Sequence, residues 1–124
     1  MKQIVLTDKA PKVIGPYSQA VGAGGFLFIS GQLPIDPGSG KLQAGISEQT
    51  RQSLDNIQSI LQENNMQMSD IVKTVIYIKD MNDFQAVNAV YEQYFINNYP
   101  ARACVEVARL PMDALVEIEA IAHK

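Results

Sequence analysis

The clearest structural pattern in the chain is Leu-Val-Glu-Ile-Glu-Ala-Ile-Ala at residues 115–122, which follows Ala-Arg-Ala-Cys-Val-Glu-Val at residues 101–107. Alternation of this kind is typical of β-strands, because successive side chains of a strand point to opposite faces of the sheet. In residues 115–122 one face is apolar and carries Val116, Ile118, Ala120 and Ala122. The other face is half apolar and half charged, and carries Leu115, Glu117, Glu119 and Ile121.

This mixed face is too apolar to be left in water and too charged for the core of a monomer. We therefore predict that it is buried against other copies of the chain, with polar clefts between the copies. The protein is expected to assemble with itself.

Residues 101–107 divide in the same way, with Arg102, Cys104 and Glu106 on one face and Ala103, Val105 and Val107 on the other. We expect the apolar set to face the helices, because helices cover the apolar face of a sheet. The polar set is then expected on the same open face as the glutamates of the last strand.

Two arrangements of these strands remain open. If they pair directly around the loop at Leu110–Pro111, Cys104 lies opposite Glu117 and Arg102 opposite Glu119. If another strand lies between them, the groups converge across a subunit boundary. Either arrangement predicts a guanidinium and carboxylates in one cleft.

The rest of the chain supplies four more strands and two helices. Strands are predicted at Lys2–Leu6, Gln19–Val21, Phe26–Ser30 and Ile71–Lys79, and Gly22-Ala23-Gly24-Gly25 signals a hairpin between the second and third. Apolar spacing predicts a helix over Ile46–Glu63, with Ser47 as its N-cap. A second helix is predicted after a cap at Asn82, with an apolar stripe at Phe84, Val87, Val90, Tyr91 and Tyr94.

The predicted order is therefore β-β-β-α-β-α-β-β. Strands that alternate with helices favour right-handed crossovers, with both helices on one face of a mixed sheet. We predict an α+β fold with a mixed six-stranded sheet and two helices on one face. The length of 124 residues and the absence of a linker or repeat indicate one domain over residues 1–124.

Composition excludes several classes of function. The single cysteine, Cys104, and the single histidine, His123, provide no zinc-site cluster and no histidine-based triad in an ordered segment, so no metal site is expected. The net charge of −3 and the scattered lysines make nucleic-acid binding unlikely. No segment is apolar enough for a signal peptide or a membrane span, and one cysteine fits a reducing compartment, so we expect a cytoplasmic protein.

Taken one at a time, the candidate site residues favour structural roles. An arginine opposite glutamates on a strand is more often an ion pair than a catalytic site. A lone cysteine such as Cys104 is more often a small buried hydrophobe than a nucleophile. Ser30 is placed at a strand end, and Tyr17 follows Pro16 in a loop, where a tyrosine often simply packs.

Longer motifs favour functional roles for these residues. The chain contains Ile-Gly-Pro-Tyr-Ser-Gln at 14–19, Ser-Gly-Gln-Leu-Pro at 30–34, Val-Asn at 87–88, Pro-Ala-Arg-Ala-Cys-Val-Glu-Val-Ala-Arg-Leu-Pro at 100–111 and Val-Glu-Ile-Glu-Ala-Ile-Ala at 116–122. These segments, in order and across the whole length, resemble the RidA (reactive intermediate deaminase A, YjgF) family. The motif that contains Arg102 resembles that of the deaminase-competent subgroup, which retains this arginine.

The resemblance implies a chorismate-mutase-like fold assembled as a homotrimer, in which three sheets form a central barrel and the clefts lie between subunits. It also implies hydrolysis of 2-iminobutanoate and 2-iminopropanoate to 2-oxo acids and ammonia. Neither a metal nor an organic cofactor is implied, because positioning and one acid/base group suffice for imine hydrolysis.

Within that resemblance, each candidate residue takes a role in the chemistry. Arg102 is expected to hold the substrate carboxylate, helped by backbone N–H groups near Gly31 and Cys104. Glu117 is expected to activate the attacking water and to pass a proton to the departing nitrogen. Tyr17, Ser30 and Asn88 are expected to line the cleft, with Cys104 as a wall residue.

Two other functions are compatible with the sequence. The trimer could be a non-enzymatic sensor that binds 2-oxo acids and acts through a regulatory protein partner, and such a sensor should tolerate Glu117→Gln. A nuclease or translation inhibitor is the second, and the acidic balance and the missing basic stripe weigh against it.

Overall fold

A computed structural model describes residues 1–124 as one six-stranded sheet and two helices packed against it. The strands are β1 (Gln3–Val5), β2 (Ala20–Ala23), β3 (Phe26–Gln32), β4 (Ile71–Ile78), β5 (Ala101–Glu106) and β6 (Val116–His123). The helices are α1 (Ile46–Glu63) and α2 (Phe84–Tyr91). The predicted element order and the bounds of the first helix are confirmed. No helix of the structure has the length and apolarity needed to cross a membrane.

The strands lie in the spatial order β1-β2-β3-β6-β4-β5. All neighbours are antiparallel except β4 and β5, which are parallel and are connected through α2. The sheet is therefore mixed, as predicted. The hairpin between β2 and β3 turns at Gly24 and Gly25, whose φ angles of 59° and 82° suit glycine.

One face of the sheet is covered by both helices and forms the core. Leu54, Ile57, Ile60 and Leu61 of α1 and Val87 and Val90 of α2 are buried together with Ile76, Ile78, Val116 and Ile118 of β4 and β6. The predicted apolar face of residues 115–122 is confirmed, although the strand begins at Val116 rather than Leu115. The opposite face, which we call the open face, carries exposed apolar side chains at Ile4, Phe26, Phe28 and Val105.

Both predicted helix caps were wrong. The N-cap of α1 is Gly45, at φ 83°, so Ser47 already lies inside the helix. The N-cap of α2 is Asp83, and Asn82 belongs to a short 3-10 turn whose cap, Asp80, accepts a hydrogen bond from the Asn82 backbone N–H. Both errors are shifts of one or two residues at an end, where the signal of a small polar residue does not fix the exact boundary.

The predicted orientation of residues 101–107 was wrong. Arg102 pairs with Thr74 and Cys104 with Ile76 across the parallel β4–β5 ladder, and these β4 residues face the helices. Paired residues share a face, so Arg102, Cys104 and Glu106 lie on the helix side, and Ala103 and Val105 lie on the open face. β5 is an edge strand, and on its helix side Arg102 lies against Asn88 and Tyr91 of α2.

Candidate active site

A cleft of about 530 Å³ opens between the end of β3, the start of β6 and two loops. We call it the Glu117 cleft, because Glu117 supplies its acidic side chain. Its other lining residues include Ile14, Tyr17, Ser30, Gly31 and Met112. Its walls are mixed, with apolar loop residues around a few polar groups, which is the usual composition of a small-ligand site.

Glu117 lies directly against the backbone of Gly31. A β-carbon added to Gly31 would overlap the Glu117 carboxylate, at 2.8 Å from its Cδ atom. The approach is possible because β3 bulges between Ile29 and Gln32, so that Ser30 and Gly31 together face the single residue Glu119 of β6. Bulges of this kind often redirect groups next to active sites. The bulge brings the glycine and the carboxylate into contact.

The electrostatic surroundings of Glu117 favour its neutral form. Burial, and then the charge of Glu119 two residues along the same face, raise the pKa of the Glu117 carboxyl above its usual value. The Tyr77 hydroxyl donates a hydrogen bond to Glu119, and this bond, with burial, raises the pKa of Tyr77 to about 12. Tyr77 thus remains a hydrogen-bond donor to Glu119, the neighbour of Glu117 on the same face.

Tyr17 and Ser30 both line the Glu117 cleft. Tyr17 is half exposed in the loop before β2, and its backbone N–H donates to the Gly15 carbonyl at 3.0 Å. The Ser30 hydroxyl donates to the Ser18 carbonyl at 2.6 Å. Since a hydroxyl has one proton, Ser30 can offer a ligand only an acceptor while that bond exists.

Arg102 lies in a second, shallower cavity of about 420 Å³ at the edge of the sheet. Its Nη1 atom donates to Asn88 Oδ1 at 2.7 Å, and its guanidinium stands 5.0 Å from the Tyr91 ring centroid and 5.5 Å from that of Phe84. Arginine is stabilised over aromatic rings by cation–π attraction. The Tyr91 hydroxyl is itself bonded to Thr74 Oγ1 at 2.7 Å in the core. Arg102 is therefore held from beneath, with its remaining N–H donors at the surface.

Cys104 is partly buried beside this arginine, on the helix side of β5. Burial raises the pKa of its thiol, and the nearby charge of Arg102 lowers the pKa only in part. A thiol in this environment is protonated and is a poor nucleophile.

The sequence-predicted site residues thus fall into two groups within one chain. Glu117, Tyr17, Ser30 and Gly31 form the first, and Arg102, Asn88 and Cys104 form the second. The two groups lie on opposite faces of the sheet, because Glu117 faces Tyr77 on the open side whereas Arg102 is on the helix side. Of the two predicted arrangements, direct pairing was wrong, since β4 lies between β5 and β6. The other arrangement, in which a strand lies between them and the groups converge across a subunit boundary, stays a prediction, because within one chain the guanidinium and the carboxylates do not share a cleft.

Sequence reasoning missed the support beneath Arg102. Phe84, Asn88 and Tyr91 recur at helical spacing of four and three residues, which places them on one face of α2. That spacing was the available signal, but the two aromatic residues also fit the apolar stripe of the helix. Tyr77 was likewise not recognised as a neighbour of Glu117 and Glu119, although alternation had placed these two glutamates on one face.

Comparison with known proteins agrees with this fold and these motifs. The family model described as Endoribonuclease L-PSP matches residues 7–124. A RutC family protein of Pyrococcus horikoshii is 55% identical over 125 residues, covering 100% of this chain and 99% of its own. The Escherichia coli protein named 2-iminobutanoate/2-iminopropanoate deaminase is 48% identical over 125 residues, covering 98% of each chain. The crystal structure of the YjgF gene product of Escherichia coli has a TM-score of 0.95 and 46% identity, again covering 98% of each chain.

These features define a small α+β protein with an open cleft that contains a partly buried carboxylate. The chain belongs to the RidA (YjgF) family, whose model carries the L-PSP description. The fold predicted from the resemblance is confirmed by the YjgF structure.

Proposed function

We propose that this protein hydrolyses 2-iminobutanoate and 2-iminopropanoate to the corresponding 2-oxo acids and ammonia. The observation that carries the proposal is the Glu117 carboxyl, partly buried at an open cleft with its pKa raised toward the range useful for proton transfer. Relatives that match nearly the full length of this chain and are named for this activity support the same reaction.

Recognition of the substrate falls to Arg102. Its surface-directed guanidinium offers a planar pair of N–H donors to the substrate carboxylate, an arrangement that a lysine ammonium cannot reproduce. The hydrogen bond to Asn88 and the aromatic rings beneath the guanidinium restrict the side chain of Arg102 before the ligand binds. Less conformational entropy is then lost on binding.

Hydrolysis requires water to add to the imine carbon and a proton to reach the nitrogen. Glu117, in its ionised form, accepts a proton from the attacking water as the C–O bond forms. In the tetrahedral intermediate formed from the protonated imine, the same carboxyl then donates this proton to the amino nitrogen. The C–N bond breaks and ammonia leaves, while the Glu117 carboxylate takes the hydroxyl proton of the intermediate as the C=O bond of the 2-oxo acid forms. Glu117 becomes protonated in the first step, so the raised pKa of its carboxyl favours proton transfer from the water.

The complete site is proposed to form between two copies of the chain. Arg102 and Glu117 lie on opposite faces of one sheet, so a carboxylate clamp and an acid/base group can meet only if a second copy supplies one of them. A homotrimer that packs the open faces together would bury Phe26, Phe28 and Val105, whose exposure in the single chain is unusual. The charges of Glu117 and Glu119 then line the polar clefts between copies.

The remaining candidates take supporting roles in this proposal. Tyr17 lies at the Glu117 cleft, where its hydroxyl can orient the water or the imine. Ser30 offers an acceptor, and the chain near Gly31 and Cys104 offers backbone N–H groups to the carboxylate. Cys104 forms part of the wall, and no metal or organic cofactor is required.

The alternatives have less support. A sensor of 2-oxo acids, acting through a regulatory protein partner, needs Arg102 but has no use for a carboxyl of raised pKa. A ribonuclease needs a cationic surface, which a net charge of −3 with ten Lys and Arg residues does not supply. The proposed compartment is the cytoplasm, where a single unpaired cysteine is stable.

A coupled trapping assay tests the proposal. A serine or threonine dehydratase generates the imine, and semicarbazide traps it as a semicarbazone. Wild-type protein should reduce semicarbazone formation, Arg102→Ala should be nearly inactive, and Glu117→Gln should lose about 10²–10⁴-fold in rate. Unchanged trapping with wild-type protein would overturn the enzymatic proposal. Full activity of Glu117→Gln would favour the sensor.

A further inference from the structure

The loop that begins β6 contains an unusual turn at Pro111–Ala114. Met112 has φ 59° and ψ 22°, Asp113 has φ 56°, and the Ala114 N–H donates to the Pro111 carbonyl at 3.2 Å. Two successive left-handed residues closed by such a bond form a type I′ turn, which strongly prefers Asn-Gly, Asp-Gly or Gly-Gly. A Met-Asp pair is a poor choice for this conformation.

Met112 is the exceptional member of the left-handed residues in this chain. The other non-glycine residues with positive φ are Asn65, Asn97 and Asp113, whose short polar side chains tolerate this region. Methionine has no such compensation, so its backbone is strained. Strain of this kind is found most often where a side chain has a functional position to keep.

The position that the turn gives Met112 is the rim of the Glu117 cleft. The residue lines that cleft together with Pro111 and is 51% exposed, so its side chain is free to contact a ligand. Val13 and Ile14 provide apolar surface in the same cleft. Asp113, the other strained residue, does not line it. An Asn or Gly at position 112 would relieve the strain and would remove this apolar contact.

We propose that Met112 determines specificity, because its flexible thioether side chain contacts the side chain of the bound 2-imino or 2-oxo acid and favours longer aliphatic substrates. This inference rests on the proposed function only in assuming that the Glu117 cleft binds such acids. Methionine suits the role, since an unbranched and polarisable chain adapts to ligands of different shape.

The test compares Met112→Gly, Met112→Ala and Asp113→Gly with the wild-type protein. Calorimetry measures the Kd of 2-oxobutanoate and of 4-methyl-2-oxopentanoate, and imine hydrolysis is assayed in parallel. Both Met112 variants should bind the longer acid about three- to ten-fold more weakly, with less than about a two-fold change for the shorter acid. Asp113→Gly should leave both Kd values unchanged, although it alters the same turn.

Thermal unfolding distinguishes the effect of losing the Met112 side chain from the effect of relieving its backbone strain. Met112→Gly should raise the Tm by about 2–5 °C by relieving strain, whereas Met112→Ala should not. Equal weakening of both acids in the Met112 variants, or a changed ratio in Asp113→Gly, would overturn the inference. A changed Kd ratio in a protein without hydrolytic activity would support the inference and reject the proposed reaction, so the two fail separately.

Discussion

Arg102 and Glu117 project from opposite faces of one sheet, separated by β4, whose residues Thr74 and Tyr77 set the two orientations. Thr74 pairs with Arg102 on the helix side, and Tyr77 pairs with Glu117 on the open side. The two groups that the proposed reaction needs are therefore kept apart in every single copy. A site that uses both has to be assembled from two copies, and this requirement makes the proposal testable by mixing variants.

Mixing two inactive variants should restore activity. If Arg102→Ala and Glu117→Gln chains are unfolded together and refolded in equal amounts, each cleft receives an intact arginine from one copy with a chance of one half and an intact glutamate from its neighbour with the same chance. About one quarter of the wild-type activity is expected from a symmetric assembly. The imine-trapping assay measures it.

The control for this experiment is the same pair of variants refolded separately and then combined. Slow exchange of subunits should keep that sample near the background rate. A co-refolded mixture that stays inactive, although it forms mixed assemblies, would show that both groups of each site come from one chain.

Gly31 should be the least replaceable glycine of the sheet. In Gly31→Ala the new methyl group would overlap the Glu117 carboxylate and displace it. A displacement of about 1 Å can cost about 10²-fold in rate, so we expect a fall in kcat of that order with the fold retained. Circular dichroism and the trapping assay together measure the two effects.

Gly22→Ala is the matched control, because Gly22 is also a strand glycine. Its added methyl group would have its nearest contact at 3.7 Å, which is an ordinary van der Waals distance. It should retain activity. Comparable losses in the two variants would mean that the Gly31–Glu117 contact has no special importance.

The pH dependence should report the charge of Glu119. The pKa of Glu117 is raised first by burial and then by Glu119, and the reaction begins with ionised Glu117. Activity as kcat/KM should therefore fall on the acid side at a higher pH than for an ordinary glutamate. Glu119→Gln removes a negative charge, lowers the pKa of Glu117 and should move this acid limb to lower pH.

Tyr77→Phe separates charge from hydrogen bonding in this cluster. It removes the hydroxyl that donates to Glu119 but leaves the Glu119 charge in place. The acid limb of the kcat/KM profile of Tyr77→Phe should therefore lie at higher pH than the acid limb of Glu119→Gln. An identical profile in wild-type protein and Glu119→Gln would exclude Glu119 as an influence on Glu117.

Cys104→Ala should retain most of the activity. The thiol has a raised pKa and lies beside Arg102 as a wall, so it is not expected to form a bond with the substrate. For the same reason, alkylation by iodoacetamide at neutral pH should be slower than for an exposed model thiol. Complete loss of activity in a folded Cys104→Ala protein would point to covalent catalysis instead.

Short-range patterns were sufficient for most of the fold. Alternation in residues 115–122 identified the core face of β6, and apolar spacing located α1 from Ile46 to Glu63. These signals are local, because a strand has a period of two residues and a helix of 3.6 residues whatever lies beside it. The motif around Arg102 was equally sufficient to indicate the family.

The orientation of β5 was not available from such patterns. Arg102, Cys104 and Glu106 alternate with Ala103 and Val105, and either set could have faced the helices. The parallel register with β4 decided the orientation. It placed the polar set on the helix side, with Arg102 over the aromatic rings of α2, and the small apolar set on the open face. Alternation with a period of two residues divides the side chains between two faces of the strand, but it does not determine which face the helices cover.

The contacts that make the candidate site also depended on tertiary structure. Gly31 meets Glu117 only because β3 bulges opposite Glu119, and Met112 reaches the cleft only through a strained turn. Residues far apart in the chain come together there through strand pairing, which no local preference encodes. Local sequence thus determined which elements form and which side chains can do chemistry, whereas long-range register and backbone strain decided which of those side chains share a cleft.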